Sequence, residues 1–407
     1  MEKNNGLKIL LLSDAPMSLN EGGISQTLYN LFSFVEPENI LAIAPKEELR
    51  TRQPTAPYNT RYKSYISSWL NLPPNRITKY LFSFVRWLNF SICQISSYRE
   101  LKNDIAGFNP DVIISCPNSP IGVLMHHKLL GDIKQIPIIP YFMDDWMYQS
   151  KTKWLGGNVQ KLVCEILSQN KRWIMISNEL AEIFRERYRV FPEKVLAARN
   201  PVDMSNAPID KEYKKGDPFT IAYAGALWPM HYDSFYSVAK AVQCLAVDNS
   251  IELLWYGPQS QWDWRKKELT LLGVVYGGHL PYTQVHATLN KADALLITSS
   301  FKPEYYTHSK GSLQTKITDY CKAKRLIISC GPSYSANHNF IKQMDCGICI
   351  ETNDSKVIAE QLTLIIHNIE KHQYHVANGW ESLKNFSTEI VHLNLKSFLI
   401  STIEEKV

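Results

Sequence analysis

Short runs that are apolar at every position alternate along this chain with longer segments whose apolar residues return every three or four. "LKILLLSD" (7–14), "ILAIAP" (40–45), "DVIIS" (111–115), "IPIIPYFM" (136–143) and "KRWIMIS" (171–177) are runs of the first kind. "GGISQTLYNLFSFV" (22–35) is of the second, with Leu28, Leu31, Phe32 and Val35 at helical spacing. A strand that is apolar on both faces has no side to give to water. Such strands, interleaved with helices, specify a parallel sheet covered on each side. The polar, proline-containing stretch "RNPVDMSNAPIDKEYKKGDP" interrupts the series, and from about 200 to 218 it reads as a linker. Beyond it the alternation restarts with "FTIAYAG", "IELLWYG", "GVVYGG", "DALLITSS", "RLIISCG" and "GICIET". The pattern predicts an α/β protein of two doubly wound, Rossmann-like domains facing each other across a cleft, one over 1–205 and the other over 218–375.

Length agrees with that division, since 407 residues exceed one ordinary core and suit two domains of about 200 residues each. With 45% hydrophobic and 20% charged residues the chain excludes intrinsic disorder. A net charge of +5 gives no argument for nucleic acid as a partner. The eight cysteines are scattered, mostly in apolar runs such as "VIISC" and "LIISC", and read as reduced core residues in a reducing compartment. "CGIC" (346–349) has ligand spacing, but it has no second pair, and Ile348 and Ile350 favour a strand over a metal or redox site. The apolar run after "MEKNNG" is short and lacks a cleavage site of small residues, which makes it a first strand and not a signal peptide.

One segment departs from the pattern. Between Arg50 and Lys102 stand nine Lys or Arg residues, one acid (Glu100) and ten aromatics. The helix-like stretch at 77–95 carries Leu81, Phe84, Val85, Leu88 and Ile92 on one face. A basic, aromatic, amphipathic segment of this kind either lies on an anionic membrane surface or packs its aromatics against the first domain. Arg86 in its middle rules out a span.

The candidate chemistry begins in "SKGSLQTKITDYCKAKRLII" (309–328), where a helix is expected to start near 312–314. A cation in a first helical turn is disfavoured by about 1 kcal/mol or less unless an anion sits beside it. A phosphate supplies that anion, and Lys316 would meet it. Asp319, three residues on, projects from the same side of the helix and can accept hydrogen bonds from ribose hydroxyls. A surface ion pair between the two is the alternative. In the first domain, Asp144 and Asp145 end a buried strand at the carboxyl edge where ligands bind in such sheets. They suit a general base, a group that orients an acceptor hydroxyl, a metal ligand, or a plain cap on the next helix from Asp145.

"SLQTKITDYCKAKRLIISCGPSYSA" resembles the P-T-K-x-x-E-Y-x-A-x-G-x-P-x-x-x-x-G-P-x-x-S-A pattern in the donor domain of family 4 GT-B glycosyltransferases. "EGGISQTLYNL", "IPYFMDDW", "ISNELAEIFRERY", "NPVD", "YAGALWP" and "LLWYGP" are similar to further segments of that family, in the right order, from about residue 7 to 370. The resemblance implies that Lys316, preceded by Thr315, neutralises the donor phosphates and that Asp319, where the family has glutamate, binds the ribose. It implies that Gly225 and Gly257 let the backbone approach the nucleotide, and that "GGHLPY", with His279 and Leu280, lines the base. Gly22 and Gly23 would face the sugar and diphosphate from the other domain. It also implies that helices over 376–407, with Trp380, Leu383 and Phe386 as their apolar stripe, return to the first domain.

Three positions depart from the family: Gly311 stands where the first acid falls, and Ala226 and His231 where the basic pair falls. His231, His308, Ser309, Lys310 and backbone N–H groups are the candidates to supply the missing charge, or else the donor carries fewer phosphates, as a CMP-sugar does. The implied activity is transfer of a sugar from a nucleotide-sugar donor to a polysaccharide or lipid-linked glycan. It proceeds with retention and without a metal, the leaving phosphate deprotonating the acceptor and Asp144 tuning the step. The nucleotide-sugar is a substrate, so no cofactor is expected, and the location is cytoplasmic. A nucleotide-sugar 2-epimerase and a non-catalytic glycan- or nucleotide-binding scaffold are the rival readings.

Overall fold

Strands that are buried over their whole length need backbone partners on both edges and side-chain cover on both faces, and two parallel sheets provide this. The computed structural model describes residues 6–19, 23–66, 84, 85, 88, 98–133, 135–149, 153–205, 213–247 and 250–405. They divide into one unit made of 1–200 with 391–407 and a second made of 201–390.

The first unit holds β1 (Ile9–Ser13), β2 (Ile40–Pro45), β3 (Tyr62–Tyr65), β4 (Val112–Cys116), β5 (Ile138–Phe142), β6 (Arg172–Met175) and β7 (Lys194–Ala197). They run parallel in the order β3-β2-β1-β4-β5-β6-β7. The helices between them are α1 (Ile24–Phe32), α2 (Lys46–Thr51), α3 (Tyr98–Phe108), α4 (Pro120–Asp132), α5 (Trp146–Gln149), α6 (Lys153–Ser168) and α7 (Asn178–Tyr188). The two-residue period of a strand sorts the core: Leu10 and Leu12 join Ile113, Phe142 and Phe184 on one face. Ile9 and Leu11 join Phe32, Ile114 and Tyr141 on the other. Val391, Leu395, Phe398 and Leu399 also enter that second face, at about 1.5–3 kcal/mol for each such side chain buried.

Part of the basic aromatic stretch belongs to this core. The Tyr58 hydroxyl donates to the Val35 carbonyl at 2.8 Å, and Tyr65, at the end of β3, donates to Asp14 at 2.8 Å. Packing is therefore the role of these two aromatics. Residues 67–83, 86, 87 and 89–97, which carry most of the proposed membrane face, lie outside the described residues, as does Gly22. Among the described residues no helix is long and apolar enough to cross a membrane.

The second unit holds β8 (Phe219–Ala224), β9 (Ile251–Tyr256), β10 (Val274–Gly278), β11 (Ala294–Thr298), β12 (Leu326–Cys330) and β13 (Gly347–Ile350). All are parallel, in the order β10-β9-β8-β11-β12-β13, so the winding reverses between β8 and β11. Ligands bind outside the carboxyl ends of strands at such a reversal. Its helices are α8 (Pro229–Leu245), α9 (Gln259–Leu271), α10 (Tyr282–Leu289), α11 (Tyr306–Gly311), α12 (Lys316–Lys322), α13 (Ala336–Met344), α14 (Ser355–His367) and α15 (Gln373–Ser382). α16 (Thr388–Glu404) follows, and its residues from Val391 onward belong to the first unit.

The apolar stripe assigned to 376–407 divides differently from the expectation. Leu383 is buried in a cluster of the second unit, with Trp380 and Phe386 packed on it, and the side chains that join the first unit start at Val391. The reason is local. Phe340 of α13 packs its ring, tilted, against Phe386 at 5.8 Å, and Lys324 caps the Trp380 ring at 4.2 Å. Cys346 is buried just ahead of β13 and Cys349 is half-buried within it, so "CGIC" runs into a strand as its sequence suggests.

Candidate functional site

The site grows from how α12 is fixed to the sheet. Tyr320, fully buried, accepts a hydrogen bond from the Ala224 backbone N–H at 2.9 Å, which pins the middle of α12 to the carboxyl end of β8. At the far end of the helix the Lys322 ammonium donates to the Asp203 carbonyl, in the segment "NPVD". With the helix held at both points, its first residue, Lys316, comes to lie over the Tyr223 ring, 3.7 Å from the centroid. The helix begins later than the sequence suggests. α11 ends at Gly311, and 312–315 are extended or turn residues, so Lys316 is the first helical position.

Gly225 explains why the lysine can sit there. Its φ of 117° lies outside the range that side chains favour, and a Cβ at that position would stand 3.3 Å from the Lys316 Nζ. Its carbonyl accepts from the Trp255 indole at 3.0 Å, and its N–H donates to Tyr256 at 2.8 Å. Gly257 leaves even less room, because a Cβ there would meet the same indole at 2.4 Å. Lys316 thus has an aromatic face, a glycine backbone and no carboxylate partner among the described residues. Burial pushes its pKa down from the ordinary lysine value to about 7.

The loop after β10 adjoins these glycines. Gly257 donates to the Gly278 carbonyl at 3.0 Å, and Tyr276 donates its hydroxyl to the Gly257 carbonyl at 2.7 Å. The register of β10 against β9 shifts between Tyr276 and Gly278, and Gly278 has φ 89°. His279 is exposed and Leu280 half-buried just beyond it, and they lead into α10. From α10, His286 Nε2 reaches the Asp319 carboxylate at 3.0 Å. Nothing in the sequence signalled this partner except that both residues occupy part-buried helical faces.

His231 and His308 also come together, both buried, with ring centroids 5.8 Å apart. His231 Nδ1 lies 3.0 Å from the Thr298 carbonyl, which only accepts, so Nδ1 carries a proton. Gln314 donates to the same carbonyl at 2.7 Å, while its Oε1 is buried without a hydrogen-bond partner. Gln314 is a site residue that sequence reasoning missed. Ser309 is buried with its hydroxyl donating to Ser300 at 3.0 Å, so it fastens α11 to the end of β11. Lys310 lies beside the Tyr306 ring at 5.9 Å, and Thr315 precedes α12 without a side-chain cap.

In the first unit the two candidate acids separate. Asp145 is fully buried and receives both Arg187 guanidinium donors, Nη1 to Oδ1 at 2.7 Å and Nη2 to Oδ2 at 2.6 Å. A carboxylate clamped on both oxygens positions α7 against α5 and is not placed to take a proton from an acceptor. Asp144, half-buried, accepts the Asp145 N–H at 2.6 Å. Gly23 precedes α1 with φ 69° and nothing within 4 Å of a Cβ, so backbone conformation rather than crowding selects glycine there. Asp14 was not foreseen. It is buried at the carboxyl end of β1, accepts from Tyr65 and from the Asn118 N–H at 2.6 Å, and burial raises its pKa.

No protein-family model and no curated protein sequence matches the chain. Solved structures do. HepE from Anabaena in complex with UDP superposes with a TM-score of 0.67 at 12% identity, over 97% of this chain and 100% of that one. Sucrose-phosphate synthase from Thermosynechococcus elongatus gives 0.70 at 13% identity, over 98% and 100%. The lipopolysaccharide outer core galactosyltransferase WaaB gives 0.60 at 14% identity, over 97% and 99%. At these identities the likeness shows the fold, which is GT-B with two doubly wound α/β units.

Proposed function

We propose that the chain is a glycosyltransferase that binds a nucleotide-sugar through its second unit and transfers the sugar to a polysaccharide or lipid-linked glycan. One observation carries this reading: a desolvated ammonium, Lys316, with no carboxylate partner among the described residues, at the carboxyl end of β8 beside the Gly225 turn. A desolvated cation without a carboxylate is costly, and the diphosphate of a nucleotide is the anion we assign to it. HepE is solved with UDP and with UDP-glucose, which supports a nucleotide-sugar as the donor. We assign the supply of further donors toward a second phosphate charge, where Ala226 and Gly311 give none, to His308 and to the backbone N–H groups beside it. The resemblance to family 4 supports retention without a metal or cofactor, and the basic stretch at 50–102 supports work at the cytoplasmic face of a membrane.

The test is a thermal-shift and calorimetric panel of UDP-, GDP-, dTDP- and CMP-sugars, followed by assay for transfer and for slow hydrolysis of the one that binds. A melting temperature unmoved by all four removes the proposal. Gly311 and Ala226 also favour a second reading, nucleotide binding without turnover. Saturable binding with neither transfer nor hydrolysis would select it.

Lys316 predicts a pH dependence of a definite sign. In the free protein it loses its proton as pH rises through about 7, and an anion beside it favours the charged form and raises that value in the complex. Binding therefore takes up a proton above pH 7. Affinity for UDP-glucose, whose diphosphate does not titrate in this range, should fall between pH 7 and 9 by up to about tenfold per unit. Calorimetry across that range checks it, and a level profile would count against the lysine as the phosphate contact.

A further inference from the structure

The contact between His286 and Asp319 joins two parts of the second unit that the proposed nucleotide would touch at once. His286 stands on the first helix after the Gly277–Gly278 loop, and Asp319 stands one turn beyond Lys316 on α12. Their separation is 3.0 Å, with side chains only 14% and 16% exposed, so the pair is sheltered yet open on one side. The loop that precedes α10 is itself tied by the hydrogen bond from Gly257 to Gly278, and Gly257 packs on the same indole that holds Gly225. The Trp255 indole and Gly257 thus connect the glycine turn beside Lys316 to the β10 loop, and that loop leads along the chain into α10, whose His286 ring meets the Asp319 carboxylate.

A short aspartate has two torsions and, left alone, turns its carboxylate plane freely. Recognition of a vicinal diol needs that plane fixed, because two hydroxyls on neighbouring carbons must meet two acceptor lone pairs at set angles. A carboxylate offers about four such positions, and one taken by a ring N–H at the edge of Oδ1 orients the plane without exhausting it.

We infer that His286 is a positioning residue that sets the Asp319 carboxylate to read the ribose 2′- and 3′-hydroxyls together, so that the site selects ribonucleotide over 2′-deoxyribonucleotide donors. The inference rests on the nucleotide-sugar reading above and narrows it by excluding dTDP-sugars. A site built to pair with a hydroxyl discriminates strongly against a ligand that lacks it, because its buried acceptor is then left unpaired.

The experiment is calorimetric titration of the full chain with UDP and 2′-deoxy-UDP, and in parallel with GDP and 2′-deoxy-GDP. It uses the wild type, His286→Ala and His286→Gln, each checked for folding by thermal melting. The wild type should bind the ribonucleotide at least about tenfold more tightly than its deoxy counterpart. His286→Ala should reduce that ratio to about threefold or less, chiefly by weakening the ribonucleotide, and His286→Gln, which can still donate to Asp319, should restore most of it. A ratio unchanged in His286→Ala, with both ligands weakened alike, would assign the histidine to helix packing and overturn the inference. So would a wild type that binds both forms equally, although the nucleotide site would then stand. Binding of none of the four would remove the nucleotide reading and this one with it.

Discussion

Lys316→Met should abolish nucleotide-sugar binding and at the same time make the free protein more stable. The two effects have one cause. The ammonium is held against the Tyr223 ring and the Gly225 backbone without a carboxylate, so the free protein bears a desolvation cost that an anion relieves. Methionine has similar length and can lie over the same Tyr223 ring without that cost. Truncating one member of a desolvated charge pair commonly costs about 2–5 kcal/mol of binding, so affinity should fall at least about 30-fold. The free protein should gain about 1–4 kcal/mol, which for a unit of this size is about 2–4 °C of melting temperature per kcal/mol.

The sign with pH separates this from ordinary repacking. The folded pKa of about 7 lies below the lysine reference of 10.5, so between those values the unfolded chain binds more protons and the wild type grows more stable as pH rises. The advantage of Lys316→Met is therefore full below pH 7 and shrinks toward pH 10.5. Thermal melts of both proteins at pH 6.5, 8 and 9.5, with and without ligand, provide the check. A variant that is destabilised, or that still binds, would remove the role given to this residue.

The architecture was legible because most of the sheet strands are short apolar runs, and their alternation with helices leaves few topologies open. "LKILLLSD" and "FTIAYAG" each predict a strand buried on both faces. The observed division of Leu10 and Leu12 from Ile9 and Leu11 onto opposite faces is what such a run demands. Lys316 at the opening of a helix and Gly225 at the end of a strand were each legible as local signals, but their contact was not. Partners from distant segments were not. Asp319 reads as an acid on α12, but the ring that meets it comes from 33 residues away, and no spacing rule connects Thr-Gln-Val-His to Thr-Asp-Tyr. Gln314 was overlooked because a glutamine between Leu313 and Thr315 resembles any polar position before a helix. Its buried, unpartnered Oε1 appears only once the β11 carbonyl that holds its other end is in place. The start of α12 was misplaced for a physical reason too: Asn337 accepts the Gln314 N–H at 3.1 Å, which holds the backbone of 312–315 out of the helix.

Asp145→Ala should lower the melting temperature of the first unit by roughly 6–20 °C, the equivalent of about 3–5 kcal/mol, without changing nucleotide affinity in the second. The sequence places Asp145 beside Asp144 at the end of a buried strand, where both suit a base. The structure gives Asp145 an exposure of zero and two charge-assisted bonds from Arg187, whose side chain is itself only 11% exposed. Removing the carboxylate leaves a guanidinium buried among Phe184 and Tyr188, whose rings lie 5.6 and 5.8 Å away and cannot replace an anion. The cost is therefore that of a guanidinium stripped of both its bonds to Asp145, larger than the net worth of the pair. It follows that removing both charges should be tolerated better than removing one. Asp145→Leu combined with Arg187→Met should recover most of the lost stability. Differential scanning calorimetry of the single and paired variants decides this, with the transfer assay run on each. If Asp145→Ala melts as the wild type does but no longer transfers sugar, the residue is catalytic after all. If instead stability falls and returns in the pair, a base must be sought at Asp144 or in the departing phosphate. The buried acid is then a clamp that holds α7 where "IPYFMDDW" leaves the sheet.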